Sequence, residues 1–262
     1  MQAGLKVQAR IVGASRGARW LGEGCRLYRA APLGWLALVF AYWLLVTVVS
    51  LVPYAGLAAA AVMVPALSVG FLAAARAAER GARVELGLLF DGFRQAPAPQ
   101  LALGVAYLLC LAAVIAASSL VDGGALARML VTGGRPDAED IDSGAFGAAA
   151  ATVALLYVPV MMMFWFAPPL AAWHGASPAK ALFFSAAAFL MNWRALLTYG
   201  AACLAATFAL SGAMLLCAAA LRVPPMALVT PVLIVLLPLL FASFYASYRD
   251  VFGPSPGPTG GA

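Results

Sequence analysis

Few side chains in this sequence are suited to chemistry, and their spacing decides what they can do. His174, the single histidine, stands beside Trp173 just after Pro168-Pro169. It has no nearby acidic or cysteine partner, so it lacks the convergent ligands a zinc site needs. Cys25, Cys110, Cys203 and Cys217 show no CxxC spacing. The last two, on one helix, stand about 21 Å apart by its rise, so all four read as free thiols. Met161-Met162-Met163 offers soft sulfur of the kind that holds copper or haem, but three consecutive helical residues point in three directions, and packing is the better reading. No P-loop, GxGxxG, HExxH or GxSxG occurs. The sequence therefore gives no catalytic, cofactor-binding or metal site and no cofactor, and it reads as a protein that is not an enzyme.

The elements that carry these residues are set by hydropathy. The chain has 262 residues, 65% of them hydrophobic, with 16 basic and 10 acidic side chains, and a mean hydropathy of +0.96. A soluble domain carries roughly 25% charged residues, against 10% here. Charges are absent from 30–75, 95–121, 143–179, 195–221 and 223–248, and an apolar helix of about 20 residues crosses a bilayer. The first gap is broken by Val52-Pro53-Tyr54-Ala55-Gly56, a turn signal, and Arg222-Val223-Pro224-Pro225 separates the last two. The expected architecture is all-α and polytopic, with six transmembrane helices at about 33–52, 56–77, 100–121, 144–167, 195–221 and 225–247, and with cytoplasmic interfacial helices. Pro168-Pro169 is expected to end the fourth span and leave 170–177 as a short interfacial piece. The segments lack the alternation of a membrane β-barrel. The domain reading is a basic amphipathic segment over 1–32, a membrane domain over 33–248 and a disordered tail over 249–262.

With six spans the termini share a side, and thirteen of the 16 Lys and Arg fall on it, leaving Arg128, Arg135 and Arg222 opposite. Cytoplasmic loops hold the excess of such residues, so both termini are expected inside. The acidic cluster Asp137, Glu139, Asp140 and Asp142 then lies outside. The net charge of +6 reads as topology and contact with anionic lipid, not as a nucleic-acid footprint. The first span follows a charged stretch of about thirty residues and runs on into a second span, unlike a cleaved signal peptide.

Residues 10–29 repeat Ile11, Ala14, Ala18, Leu21, Cys25 and Tyr28 at helical spacing, with Arg10, Arg16, Arg19, Arg26 and Arg29 elsewhere, the pattern of an interfacial helix. Gly13, Gly17, Gly22 and Gly24 weaken that helix. The segments Glu85–Arg94 and Ser177–Trp193 also read as interfacial, the second either flat or re-entrant. An offset of 94 places Leu88 and Phe90 on Leu182 and Phe184, which leaves open a duplication or two separate anchoring segments. No ionisable residue lies in the middle of any span, which argues against a carboxylate proton relay. Thr47, Ser68, Tyr107, Ser118, Ser119, Thr152, Tyr157, Thr207, Ser211 and Thr230 read as interhelical hydrogen-bond partners. Ala201, Ala205 and Ala209 form a small-residue ridge that predicts a packed face, within one chain or at a dimer seam. Pro65, Pro159, Pro231 and Pro238 predict kinks.

The stretches WLGEGCRLYRAAPLGWL (20–36), LFDGFR (89–94), SPAKALFFSAAAFLMNWRAL (177–196) and FASFYASYRDVFG (241–253) resemble the BPSS-type family of proteobacterial inner-membrane proteins, SYRDVF being the most specific piece. The resemblance covers most of the chain and implies a six-helix integral inner-membrane protein. It carries no activity or site residue over. Two function classes follow. A non-enzymatic accessory or structural membrane protein, working through lipid, a membrane partner or a second copy, expects a tightly packed core without a continuous polar cavity. A transporter, channel or lipid-handling protein for a small or amphiphilic solute expects a midplane cavity lined by kinked helices and by Tyr157, Trp165, Tyr199 and Thr230. Arg249 and Asp250 close the last span, Arg249 expected at headgroups and Asp250 on a cytoplasmic arginine, unless they simply stop the helix.

Overall fold

The computed structural model describes residues 8–53, 55–134 and 144–253, and these contain helices and connecting turns but no strand. The helices are α1 (Ser15–Ala30), α2 (Pro32–Ser50), α3 (Gly56–Glu79), α4 (Asp91–Gln95), α5 (Pro97–Asp122), α6 (Ala125–Thr132), α7 (Ala145–Phe164), α8 (Ala167–His174), α9 (Pro178–Met191), α10 (Trp193–Leu221) and α11 (Met226–Phe252), with a 3-10 turn at Leu86–Phe90. Among them six stretches are long and apolar enough to cross a membrane, namely α2, α3, α5, α7 with α8, α10 and α11. The fourth runs on to His174 and the last to Phe252, beyond the 167 and 247 read from the hydropathy. The chain is thus an all-α polytopic membrane protein.

Proline starts several of these helices rather than ending them. Pro32, Pro97 and Pro178 stand at the first position of α2, α5 and α9, where the missing N–H has no intrahelical partner to lose. Pro168 and Pro169 do the same inside the first turn of α8. The helix break therefore falls earlier than expected, at Trp165-Phe166, and the short piece behind it is no surface segment, since Ala167 through Ala171 are buried. Side chains meet the polar groups that such a break frees in an apolar setting. Ser185 Oγ accepts from the Phe166 N–H at 2.8 Å and donates to the Met162 carbonyl at 2.9 Å. Gln100 Nε2 donates to the Pro168 carbonyl at 2.7 Å.

At the centre stands α3, packed on α2, α5 and α11. Phe71 stacks on Phe241 with centroids 4.3 Å apart, amid buried Trp35, Leu38, Leu72, Leu103, Phe166 and Leu170. The Arg10 N–H donates to the Val251 carbonyl at 2.9 Å, so residues 8–12 lie beside the end of α11. This end of the bundle is the terminal face. Helix α9 starts four residues after His174, whose Nε2 meets the Tyr248 hydroxyl at 2.6 Å. It finishes at Asn192, which bonds Val12 N–H and the Arg10 carbonyl. Both ends of α9 thus sit near the last turns of α11. At the offset of 94, Leu88 and Leu182 are both half-buried against the core, while Phe90 is exposed and Phe184 half-buried. Leu89 is buried in a 3-10 turn, whereas its counterpart Phe183 is exposed on an α-helix.

Part of the 122–143 loop is the helix α6. Asp122 caps it, accepting from Gly124 N–H at 2.8 Å and Leu126 N–H at 2.7 Å. The acidic cluster at 137–142 and the tail 254–262 lie outside the described residues. The boundary expected at residue 249 moves, because α11 runs on to Phe252 and holds Arg249 and Asp250 in its last turns; Phe252 is buried against Phe166 at 5.3 Å between ring centroids.

The ridge Ala201, Ala205 and Ala209 is exposed in the single chain. Helix α10 touches the rest of the protein chiefly through α1, and beyond its first turns it presents Leu204, Phe208, Leu215 and Leu216 outward.

Candidate functional site

Between α10 and the body of the bundle lies a half-enclosed cavity of about 600 Å³. Its walls come from the middle of α3 at Val64, Pro65 and Ser68, from Tyr107 of α5, from Tyr157, Met161 and Phe164 of α7, and from Leu237 to Phe244 of α11. The first turns of α10 close one side with Leu196, Tyr199, Gly200 and Cys203. Among the described residues, no charged side chain lines it. The helix break explains part of the space, because at Trp165 the chain leaves the α7 axis and turns its indole toward Phe244, Phe189 and Tyr199, at 5.2, 6.2 and 6.3 Å between centroids.

The polar groups of the cavity are neutral and mostly paired. Ser68 Oγ donates to the Pro65 carbonyl at 2.7 Å. The Tyr107 and Tyr157 hydroxyls lie 3.1 Å apart and those of Tyr199 and Ser243 2.7 Å apart. Trp165 Nε1 is buried at the wall without an acceptor. Of the four residues expected around a cavity, Tyr157, Trp165 and Tyr199 line it together. Thr230 does not, because it stands two turns before Leu237 on α11, about 10 Å along the axis, and is exposed there.

A second cluster lies at the terminal face, where α1 crosses α10 and α11. Helix α1 does not dock through the apolar stripe read from its sequence. Ile11, Ala14 and Ala18 are exposed, while Gly17, Trp20, Gly24 and Leu27 are buried. The glycines are the reason. A Cβ on Gly17 would stand 1.9 Å from the Ala195 carbonyl oxygen, and one on Gly24 2.7 Å from Ser243 N. The residues that weaken α1 as an isolated helix are thus those that let it approach two backbones. The spacing of Gly17, Trp20 and Gly24 on one face was the available signal.

Trp20, buried between the helices, packs edge-on against Tyr199 at 5.8 Å. Its Nε1 donates to Asp250 Oδ2 at 2.8 Å, and Arg16 Nε donates to the same oxygen at 2.7 Å. Arg16 also pairs with Glu23 at 3.0 Å. Asp250 thus finds an arginine, as expected, but Arg249 does not reach for headgroups. It is held in ion pairs with Glu23 of α1 and Glu79 of α3, and the Tyr245 hydroxyl donates to Glu79 at 2.7 Å. Around this latch, Arg19, Arg26, Arg29, Arg80, Arg83, Lys180 and Arg194 are exposed. His174, besides its bond to Tyr248, has Trp173 as its chain neighbour, whose ring carries the Arg76 guanidinium at 5.3 Å. The four cysteines are free thiols.

A protein of Burkholderia thailandensis described as a probable inner membrane protein is 40% identical to this chain over 252 residues, covering 92% of the chain and 93% of the relative. No family model matches the chain, and no solved structure matches it.

Proposed function

This chain belongs to the family of that inner-membrane protein, and from this premise we propose that it is a non-enzymatic lipid-handling protein that takes one hydrocarbon chain of a membrane amphiphile into the cavity beside α10. The observation that carries the reading is the cavity itself, apolar, half-open and about half-way along α3 and α11. At about 30 Å³ per water-sized group, 600 Å³ holds about 20 such groups, the bulk of one long chain. An apolar opening inside a bilayer fills with hydrocarbon rather than water. The lack of charge among the described lining residues leaves an ionic headgroup outside, since burying an unpaired ion is costly. The neutral hydroxyl pairs and the Trp165 N–H suit an ester or hydroxyl.

The exposed cations of the terminal face support two further parts of this reading. They support a cytoplasmic side for both termini, and they suit anionic headgroups as partners. Assignment to the BPSS-type family, on Ser247 through Phe252, belongs to the same proposal. A second reading, an accessory protein that seats a membrane partner or second copy on α10, is favoured by the exposed ridge Ala201, Ala205 and Ala209.

The test uses a phosphatidylcholine with a diazirine in its acyl chain, in nanodiscs holding the full chain. Gly200 gives a clean block, because a Cβ there meets nothing within 4 Å, so Gly200→Phe projects into the cavity without a backbone clash. Lipid handling expects photolabel on Met161, Cys203 and Leu240 that Gly200→Phe removes. Label spread evenly over the lipid-facing helices and unchanged by Gly200→Phe would overturn it.

A further inference from the structure

We infer that α1 is a strap that holds the movable wall of the cavity, and that its latch to Asp250 controls how far the cavity opens; this rests on the cavity reading above. The wall in question is α10. Among the described residues, its direct hydrogen bond to α11 is the Tyr199–Ser243 hydroxyl pair. Apart from the ring contact of Tyr199 with Trp165, its other ties go mainly to α1 and to the segment just before it. Thr198 Oγ1 donates to the Ala14 carbonyl at 2.5 Å, Val12 N–H donates to Asn192 Oδ1 at 2.8 Å, and Gly17 lies against Ala195 and Tyr199.

The strap is in turn fixed to the rest of the bundle. Trp20 and Arg16 converge on Asp250, Glu23 meets Arg249, and Gly24 rests on Ser243. Tyr199 joins the two assemblies, since it lines the cavity, packs on Trp20 and bonds Ser243. At the far end α10 and α11 are linked by a tight turn in which Arg222 takes a left-handed backbone, φ 54°, before Pro224-Pro225. That turn is a pivot. Rotation of α10 about it widens the cavity at the terminal face, and α1 is the element that resists. The latch is made of partly exposed ion pairs, which are individually weak, so it can open without unfolding the bundle.

The test follows the wall directly. Spin labels at Leu197→Cys on α10 and Leu101→Cys on α5, both exposed, report the separation in nanodiscs, with Cys25, Cys110, Cys203 and Cys217 replaced by alanine. Asp250→Ala is expected to lengthen and broaden that distance, and to speed release of the diazirine phosphatidylcholine about fivefold, the lower end of typical coupling between sites. Arg16→Gln removes one partner of the latch, leaves Trp20 on Asp250, and shifts both readouts the same way by less; it keeps the inference testable if Asp250→Ala does not fold. A folded Arg16→Gln or Asp250→Ala protein with an unchanged distance would sink the strap. If the wild-type chain takes up no photolabel, the cavity reading fails instead, while the distance still judges the strap.

Discussion

Helices α3 and α10 are almost equally apolar, yet half of the most apolar 18-residue stretch of α3 is buried inside the protein against 6% of that of α10. Hydropathy places both in a bilayer and says nothing about which faces protein. In water an apolar side chain is driven inward, but against lipid tails that drive vanishes and close backbone approach decides. Helix α3 is approached in this way. A Cβ on Gly104 of α5 would lie 2.0 Å from the Val62 carbonyl oxygen. On α10, Gly212 faces open space.

The largest effect expected from this contrast is a matched pair. Gly104→Leu should cost about 3 kcal/mol or more through overpacking, whereas Gly212→Leu should stay within about 1 kcal/mol and on the stabilising side, leucine being the better helix former. Thermal unfolding in detergent measures both, and equal losses would break the comparison. Within α1 the same contrast recurs at smaller scale. Gly17→Leu is expected to cost about 2 kcal/mol and to raise hydrogen exchange in Ser15–Ala30, while Gly22→Leu, which meets nothing within 4 Å, leaves exchange unchanged.

Asp250→Ala comes next. It strands the Trp20 N–H and the Arg16 guanidinium, for a loss of about 2 kcal/mol. Arg249→Ala removes half-exposed ion pairs and should cost less than about 1 kcal/mol. A reversed order in the unfolding midpoints would move the centre of the latch from Asp250 to Arg249. The smallest effect is expected from Ala205→Leu. The monomer should keep its midpoint within about 0.5 kcal/mol, and a fall in self-association, read by light scattering in detergent, would show that the ridge seats a second copy.

These contrasts also mark where the sequence speaks. The six spans were legible because charge is excluded from a bilayer core, and proline and glycine punctuation marked the breaks after Pro53 and at Pro224-Pro225. Tyr157, Trp165 and Tyr199 were legible as a cavity group because polar aromatics in apolar helices need partners. The break at Trp165 was misplaced by three residues, because a proline pair is tolerated at the start of a helix as readily as it ends one, and what chose between them was Ser185, a residue 19 positions away from Phe166. The buried face of α1 was hidden because two of its four buried residues, Gly17 and Gly24, are glycines, which carry no hydropathy of their own. Arg249 was misread because its partners, Glu23 and Glu79, lie 226 and 170 residues away along the chain.

The latch also orders events in time. Arg16 and Asp250 are 234 residues apart in sequence, and at roughly 5 to 20 residues per second the ribosome makes the first about 10 to 50 s before the second. For most of that interval α1 is finished and amphipathic, and α10 and α11, on which it docks, are not yet made. A nascent chain that stops short of Asp250 has a strap with nothing to fasten to, and the arrival of the last helix is the moment at which the fold closes.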